Sequence, residues 1–167
     1  MQETKTVLIT GAASGIGRAV AERLASDKLN LVLVDLDPEI EIVANQLEAQ
    51  CGGAIGRVLD ITDNVAVGRL VEDVAGRFGG IDGLVNNAGI VDNIAPFEKM
   101  TKAAWDREIA VNLTGAFNLI QAVIPGMREQ QYGRIVNVSS AAARGGLIRQ
   151  AGYSASKAGL LGLARAV

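Results

Sequence analysis

The chain has no histidine, one cysteine, three prolines and only 4% aromatic residues. Each shortage removes a class of chemistry. Without imidazole there is no Ser–His or Cys–His nucleophilic pair and no zinc site built on histidine. No metal site is expected. Acid–base work would fall to Asp, Glu, Lys, Tyr or a bound cofactor. The lone Cys51 cannot form an intrachain disulfide, and at the end of a helical pattern it reads as a buried, inert thiol. Basic runs are missing too: 16 Lys and Arg against 18 Asp and Glu leave a net charge of −2. An electrostatic footprint for nucleic acid is therefore absent. No apolar run reaches membrane-spanning length, and Met1-Gln2-Glu3-Thr4-Lys5 is no signal peptide. The expectation is a cytoplasmic protein with neither nucleic acid nor membrane as a partner.

Apolar residues and glycine are plentiful. With 49% hydrophobic residues over 167 positions, the chain can bury one core as a single domain spanning 1–167. The apolar run Val7-Leu8-Ile9 leads into Thr10-Gly11-Ala12-Ala13-Ser14-Gly15-Ile16-Gly17, and a helical pattern follows from Arg18. A strand, a glycine turn and a helix in that order form a phosphate-binding corner. Gly11 lets the chain leave the strand through angles that a side chain obstructs. Gly15 removes a Cβ where backbone approaches a pyrophosphate, and Gly17 lets the helix pack closely on the first strand. The helix N-terminus then faces the phosphates. The spacing is Gly-x3-Gly-x-Gly rather than Gly-x-Gly-x-x-Gly. By itself such a motif can be no more than a turn.

Strand and helix patterns alternate through the rest of the chain. Residues 29–34 read as a strand buried on both faces, ending at Asp35. Pro38 opens a helix carrying Ile40, Val43, Leu47 and Cys51, which Gly52-Gly53 stops. Residues 54–59 form a third strand ending at Asp60. Thr62 or Asp63 caps a helix with Val67, Leu70, Val71, Val74 and Phe78 inward. A fourth strand, 81–85, runs into Asn86-Asn87-Ala88-Gly89, and 90–100 is a loop. A long helix then carries Ile109, Leu113, Phe117, Ile120, Ile124 and Met127, with Pro125 kinking or dividing its end. Residues 134–138 are a fifth strand ending at Ser139-Ser140. After a small-residue loop, 141–151, a last helix starts near Gly152-Tyr153. This alternation predicts an α/β fold, a parallel sheet with helices on both faces. Its ligand crevice lies beyond the strands' C-terminal ends, where all five polar or glycine clusters fall.

Asp35 follows the last glycine by 18 positions, counted as 35 − 17. A carboxylate there can accept both ribose hydroxyls of an adenosine and repel a 2′-phosphate. The positions that would carry a cation in an NADP site hold Ser14 and Leu36, which favours NAD over NADP. A solvated strand-end aspartate is the plain alternative. Tyr153 and Lys157 are four apart and share a helix face. A tyrosine is a weak proton acceptor until an ammonium stabilises its phenolate, so the pair can exchange a proton without histidine. Ser140 could hold a substrate carbonyl oxygen beside the tyrosine, while Ser139 points the other way. Either serine could instead cap a turn. Asn112 lies in an otherwise apolar helical stretch. An amide there needs partners, with water or Lys157 available, unless it faces the surface.

Together these motifs resemble the short-chain dehydrogenase/reductase family over essentially the whole chain. Thr10-Gly11-x-x-x-Gly15-Ile16-Gly17 is similar to its cofactor motif, and Asn86-Asn87-Ala88-Gly89 to a second signature that buttresses the sheet and lines the cofactor site. Asp60-Ile61 resembles the pair that flanks adenine. Asn112, Ser140, Tyr153 and Lys157 fall where the family places its catalytic tetrad. The glycine spacing is unlike the Gly-x-x-Gly-x-x-Gly of the extended epimerase and dehydratase branch. The resemblance implies a three-layer, doubly wound Rossmann sheet in the order 3-2-1-4-5. It also implies hydride transfer between the nicotinamide of NAD, with NADP second, and a secondary alcohol or ketone. In that scheme Tyr153 is the general acid/base and Ser140 polarises the carbonyl. Lys157 binds the nicotinamide ribose, and Asn112 holds a water linking Lys157 to solvent. The cofactor set is Gly11, Ser14, Gly15, Ile16, Gly17, Asp35, Asp60, Ile61, Asn87, Ala88, Gly89, Tyr153 and Lys157.

Family members normally run longer than this sequence. The sixth and seventh strands, a Pro-Gly segment at the carboxamide and a substrate lid have no counterpart in it. The last helix carries Leu160, Leu161, Leu163, Ala164 and Val167 and needs covering by such segments, by a second subunit, or by both. The resemblance implies a homo-oligomer, dimer or tetramer, through the last two long helices. Residues 90–97 are mostly apolar apart from Asp92 and Asn93, which fits a modest organic substrate. The other readings are a non-catalytic NAD-binding or scaffold protein, and an NADP-dependent reductase of 3-oxoacyl thioesters.

Overall fold

Residues 4–92 and 94–167 are described by a computed structural model. The start of the chain, read above for a leader signal, and Asn93 lie outside them. Five parallel strands run β1 (Thr6–Thr10), β2 (Asn30–Asp35), β3 (Gly53–Val58), β4 (Gly83–Asn86) and β5 (Arg134–Asn137). Their order across the sheet is β3-β2-β1-β4-β5, the order that the family resemblance implies. Residue Ile9 of β1 pairs with Leu33 of β2 on one side and with Val85 of β4 on the other.

Period-two alternation divides the strand side chains between two cores. On one face Ile9, Leu31, Leu33 and Val85 pack under α1 (Gly15–Ala25) and α2 (Glu39–Glu48), against Ala21, Ile40 and Val43. On the other face Leu8, Val32, Val34 and Leu84 meet α3 (Asn64–Phe78) and α5 (Gly115–Glu129) through Val67, Leu70, Leu119 and Val123. Burial on both faces explains the unbroken apolar run of β2. Cys51 is half-buried at the edge of the first core, more open than its pattern predicts.

Several boundaries sharpen. Asp63, not Thr62, caps α3: its Oδ1 accepts the N–H groups of Val65 and Ala66, both at 3.0 Å. The loops at 90–100 and 141–151 contain a 3-10 turn, Phe97–Lys99, and a short helix, α6 (Ala142–Gly145). Pro125 does not divide its helix, which continues to Glu129. Pro125 and Gln121, whose carbonyl loses its donor, are both exposed, so water can replace the missing bond.

The real interruption comes earlier. Between α4 (Lys102–Ile109) and α5 the backbone makes a π turn, Ala110–Thr114. One extra residue per turn rotates the downstream face. Phe117, expected inward, is therefore 45% exposed, while Ala116, Leu119, Ile120 and Val123 are buried. Helical structure over Lys102–Glu129 is, by length and composition, long and apolar enough to cross a membrane, contrary to the sequence reading. Leu119, Ile120, Val123 and Met127 of this stretch form part of the second core. The chain's last helix is α7 (Ala151–Ala166).

Candidate active site

The glycine corner is braced from below. Thr10 Oγ1 accepts the N–H groups of Asn87 and Ala88, both at 3.1 Å. The Asn87 side-chain amide donates to the carbonyls of Thr10 and Gly11, each at 3.0 Å. Gly11 leaves β1 with φ +62, and a Cβ on it would lie 2.9 Å from Ala88 Cα. A Cβ on Gly17 would overlap the Gly11 carbonyl and come within 2.6 Å of the Asn87 amide. Gly17 thus makes room for the loop itself. Gly15, at φ +54, faces open space with nothing within 4 Å of where its Cβ would be.

That open space belongs to a cleft of about 570 Å³ beyond the ends of β1, β2, β3 and β4. Gly11, Ser14, Gly15, Ile16, Asp35, Asp60, Ile61, Asn87, Ala88 and Gly89 all line it. Gly17 and the four tetrad positions lie outside its lining. Ser14 stands at the N-terminus of α1 with no side-chain cap bond, which leaves the first helical N–H groups to an anionic ligand. The cradle therefore fits a dinucleotide diphosphate. Two members do more than the sequence reading assigned them. Asp35 Oδ2 accepts the N–H of Ala13 at 2.9 Å and Oδ1 that of Asp37 at 3.2 Å, so the carboxylate also latches the glycine loop. Asp60 Oδ1 accepts from the N–H and hydroxyl of Thr62, while Ile61 is buried against the Gly115 backbone.

At the Gly89 end of the cleft the tetrad begins. Asn112 sits in the π turn and is 1% exposed. It does not face the surface, and its hydrogen bonds among the described residues go to Ile90 and Ser156. Its Oδ1 accepts the N–H of Ile90 at 2.7 Å, and its Nδ2 donates to the Ile90 carbonyl at 2.9 Å and to Ser156 Oγ at 3.1 Å. Ser156 Oγ donates in turn to the Tyr153 carbonyl at 2.8 Å. Lys157 is 4% exposed and donates to the Val138 carbonyl at 2.8 Å. Its Nζ is 5.9 Å from the centroid of the Tyr153 ring. A Cβ on Gly89 would lie 3.1 Å from Asn112 Oδ1 and 3.2 Å from Lys157 Nζ, so that glycine lets both groups close on the cleft. Ser139 Oγ donates to the Lys157 carbonyl at 2.9 Å, and Ser140 Oγ accepts the Ala142 N–H at 3.2 Å. The two serines diverge, and Ser140 anchors the start of α6.

Burial pushes the Lys157 amine below its ordinary 10.5. Between the lowered folded value and 10.5 the unfolded chain holds more protons, so this group's contribution to stability rises with pH. The unfolding midpoint in urea, compared between wild type and Lys157→Met, should shift in favour of wild type as pH climbs toward 10.5. A difference that stays flat across that window would contradict the assignment.

Sequence reasoning missed Ser156, Arg107 and Glu108 as parts of this region, and gave Thr10, part of the glycine motif, no bracing role. Arg107 lines the cleft and pairs with Asp92 at 3.0 Å. Glu108 precedes Asn112 by four residues on the same helical stretch, a spacing that marks it in hindsight. Among the described residues no group of three or more His, Cys, Asp or Glu could hold a metal ion.

Comparison with known proteins gives one consistent answer. The short chain dehydrogenase profile matches residues 5–167. The chain is 41% identical over 164 residues to a 3-oxoacyl acyl-carrier-protein reductase of Thermotoga maritima, covering 98% of this chain and 66% of that protein. Crystal structures of levodione reductase and of NAD+-bound xylitol dehydrogenase superpose with TM-scores of 0.91 and 0.90, at 39% and 35% identity. They match 99% and 98% of this chain, and 66% and 64% of theirs. The chain thus spans just under two thirds of the length of these relatives. With the profile match, the strand order and the glycine corner in agreement, this chain belongs to the short-chain dehydrogenase family.

Proposed function

We propose that the protein is an oxidoreductase that moves a hydride between the nicotinamide of NAD and a secondary alcohol or ketone. The observation that carries this reading is the meeting of Asn112 and Lys157 over Gly89, one helical turn from Tyr153 and contiguous with the dinucleotide cleft. The N-terminus of α1 and the backbone at Gly15 would hold the diphosphate, with Asp35 at the adenosine ribose. When bound, the nicotinamide supplies a two-electron hydride acceptor or donor. Tyr153 would take the proton of the alcohol as the phenolate, and as the phenol would return it to the developing alkoxide in reduction. The Lys157 cation provides the nearby positive charge that a phenolate needs, with its ammonium oriented by the Val138 carbonyl. Ser140, just past the end of β5, would hold the substrate oxygen. Asn112 fixes the segment after β4 through both polar groups of Ile90.

The Asp35 carboxylate favours NAD, because a 2′-phosphate beside it would bring like charges together. The relative solved with NAD+ bound supports that preference. Asp35→Ala should lower the ratio of NAD to NADP affinity by about tenfold, equivalent to roughly 1.4 kcal/mol. Because Ala13 also loses its acceptor, affinity for both cofactors should fall. Asp35→Asn, which keeps an acceptor for Ala13, should shift preference with a smaller loss. Calorimetric titration with both dinucleotides checks this, and an unchanged ratio would count against the assignment. NADP-linked reduction of 3-oxoacyl thioesters is the second reading, favoured by the 41% identity to the Thermotoga maritima reductase. NADH absorbance across a panel of alcohols, ketones and acyl thioesters separates the two. The exposed Phe117 and the apolar side of α7 support association of copies through α5 and α7.

A further inference from the structure

Glu108 is fully buried at the end of α4, immediately before the π turn. A carboxylate withdrawn from water is costly unless donors meet it, so its burial in a helix whose other charged residues are exposed calls for a role. Its Oε1 accepts the N–H of Asp92 at 2.9 Å, in the segment that follows β4. Its Oε2 occupies the space that a Cβ on Gly152 would take. Gly152 is the second residue of α7 and the neighbour of Tyr153. The first turn of α7 has no acidic residue and no side-chain cap of its own, and a negative charge at that end favours the helix dipole.

The arrangement repeats one turn later. Asn112 binds Ile90 as Glu108 binds Asp92. Four helical residues rise roughly 6 Å, close to the roughly 6.6 Å spanned by two extended residues. Two side chains of one helical stretch therefore grip alternate residues of one segment. Asp92 is held a second time through its carboxylate by Arg107, at 3.0 Å.

We propose that Glu108 is a positioning residue, one that fixes the start of α7, and so Tyr153, against the segment at 90–92. It does not line the dinucleotide cleft, and it acts through Gly152 and Asp92. The proposal rests on the oxidoreductase reading above for its effect on turnover. It also accounts for glycine beside the tyrosine, because any side chain at 152 would compete with the Glu108 carboxylate for the same space.

Glu108→Val should lower kcat by about tenfold or more, since small misplacements of a reacting group carry costs of this size. Affinity for NAD should stay within about threefold. Amide hydrogen exchange should quicken at 90–92 and 151–154. Glu108→Gln, which still accepts from Asp92, should recover most of the lost turnover. Gly152→Ala should be impaired alone and improved by Glu108→Asp in the same chain. Unchanged kcat and unchanged exchange in folded Glu108→Val would overturn the proposal. So would a parallel fall of kcat, NAD affinity and melting temperature that Glu108→Gln does not repair. If wild type itself turns over no alcohol or ketone, the functional reading fails instead, and the exchange data still decide whether Glu108 clasps the two segments.

Discussion

Tyr153→Phe should reduce turnover by about 10³-fold or more while NAD affinity changes by less than about threefold. General acid–base groups typically contribute 10²–10⁴-fold, and no histidine exists to replace the phenol. The substitution removes one oxygen and leaves the ring, so the packing of α7 and the approach of Lys157 Nζ to the ring at 5.9 Å are preserved. The cleft that would bind the dinucleotide is lined by residues of the glycine loop, the ends of β2, β3 and β4 and the π-turn region, and Tyr153 is not among them. Initial rates followed through NADH absorbance, beside a calorimetric NAD titration, make the separation visible. A fully active variant would sink the mechanism. Tight NAD binding by wild type with no turnover on any alcohol or ketone would favour a non-catalytic binding protein.

Gly17→Ala should destabilise the fold by about 3 kcal/mol, which combines overpacking with at least one weakened hydrogen bond. The added Cβ would overlap the Gly11 carbonyl and press on the Asn87 amide, 2.6 Å away. Asn87 could yield only by releasing the Thr10 and Gly11 carbonyls that it bridges at 3.0 Å. NAD affinity should fall by more than about tenfold as the loop shifts, a loss above roughly 1.4 kcal/mol. Gly15→Ala is the contrasting case. Its Cβ meets nothing within 4 Å, so the fold bears only the strain of a left-handed alanine, about 1–2 kcal/mol. Its larger effect should be on the ligand. Urea denaturation and NAD titration of both variants test this, and equal stability losses would argue against the distinction.

Much of this was readable in advance because it is local. A glycine corner between a strand and a helix is specified by three positions close in sequence. Strand and helix alternation follows from the period of apolar residues, and the parallel order then places Thr10–Gly17, Asp35, Asp60 and Gly89 on one rim. Other features escaped for a definite reason. The π turn adds one residue to a helical period that pattern analysis takes as constant, and Phe117 consequently turned outward. Ser140 kept two readings because a hydroxyl can cap a turn and hold a substrate with the same oxygen, and its bond to Ala142 shows the first of these.

Residue order alone carried the parallel α/β sheet with helices on both faces, the glycine corner between β1 and α1 and, through resemblance, the doubly wound strand order and the family. These depend on chain-local geometry and on residue types that admit few substitutes. Folding added the pairings between segments far apart in the chain: Asp35 with Ala13, Asn112 with Ile90, Glu108 with Asp92 and Gly152. Each joins groups whose meeting depends on sheet register, helix rotation and the π turn together. A hydrogen bond tolerates errors of only a few tenths of an ångström, and periodicity carries no information that fine.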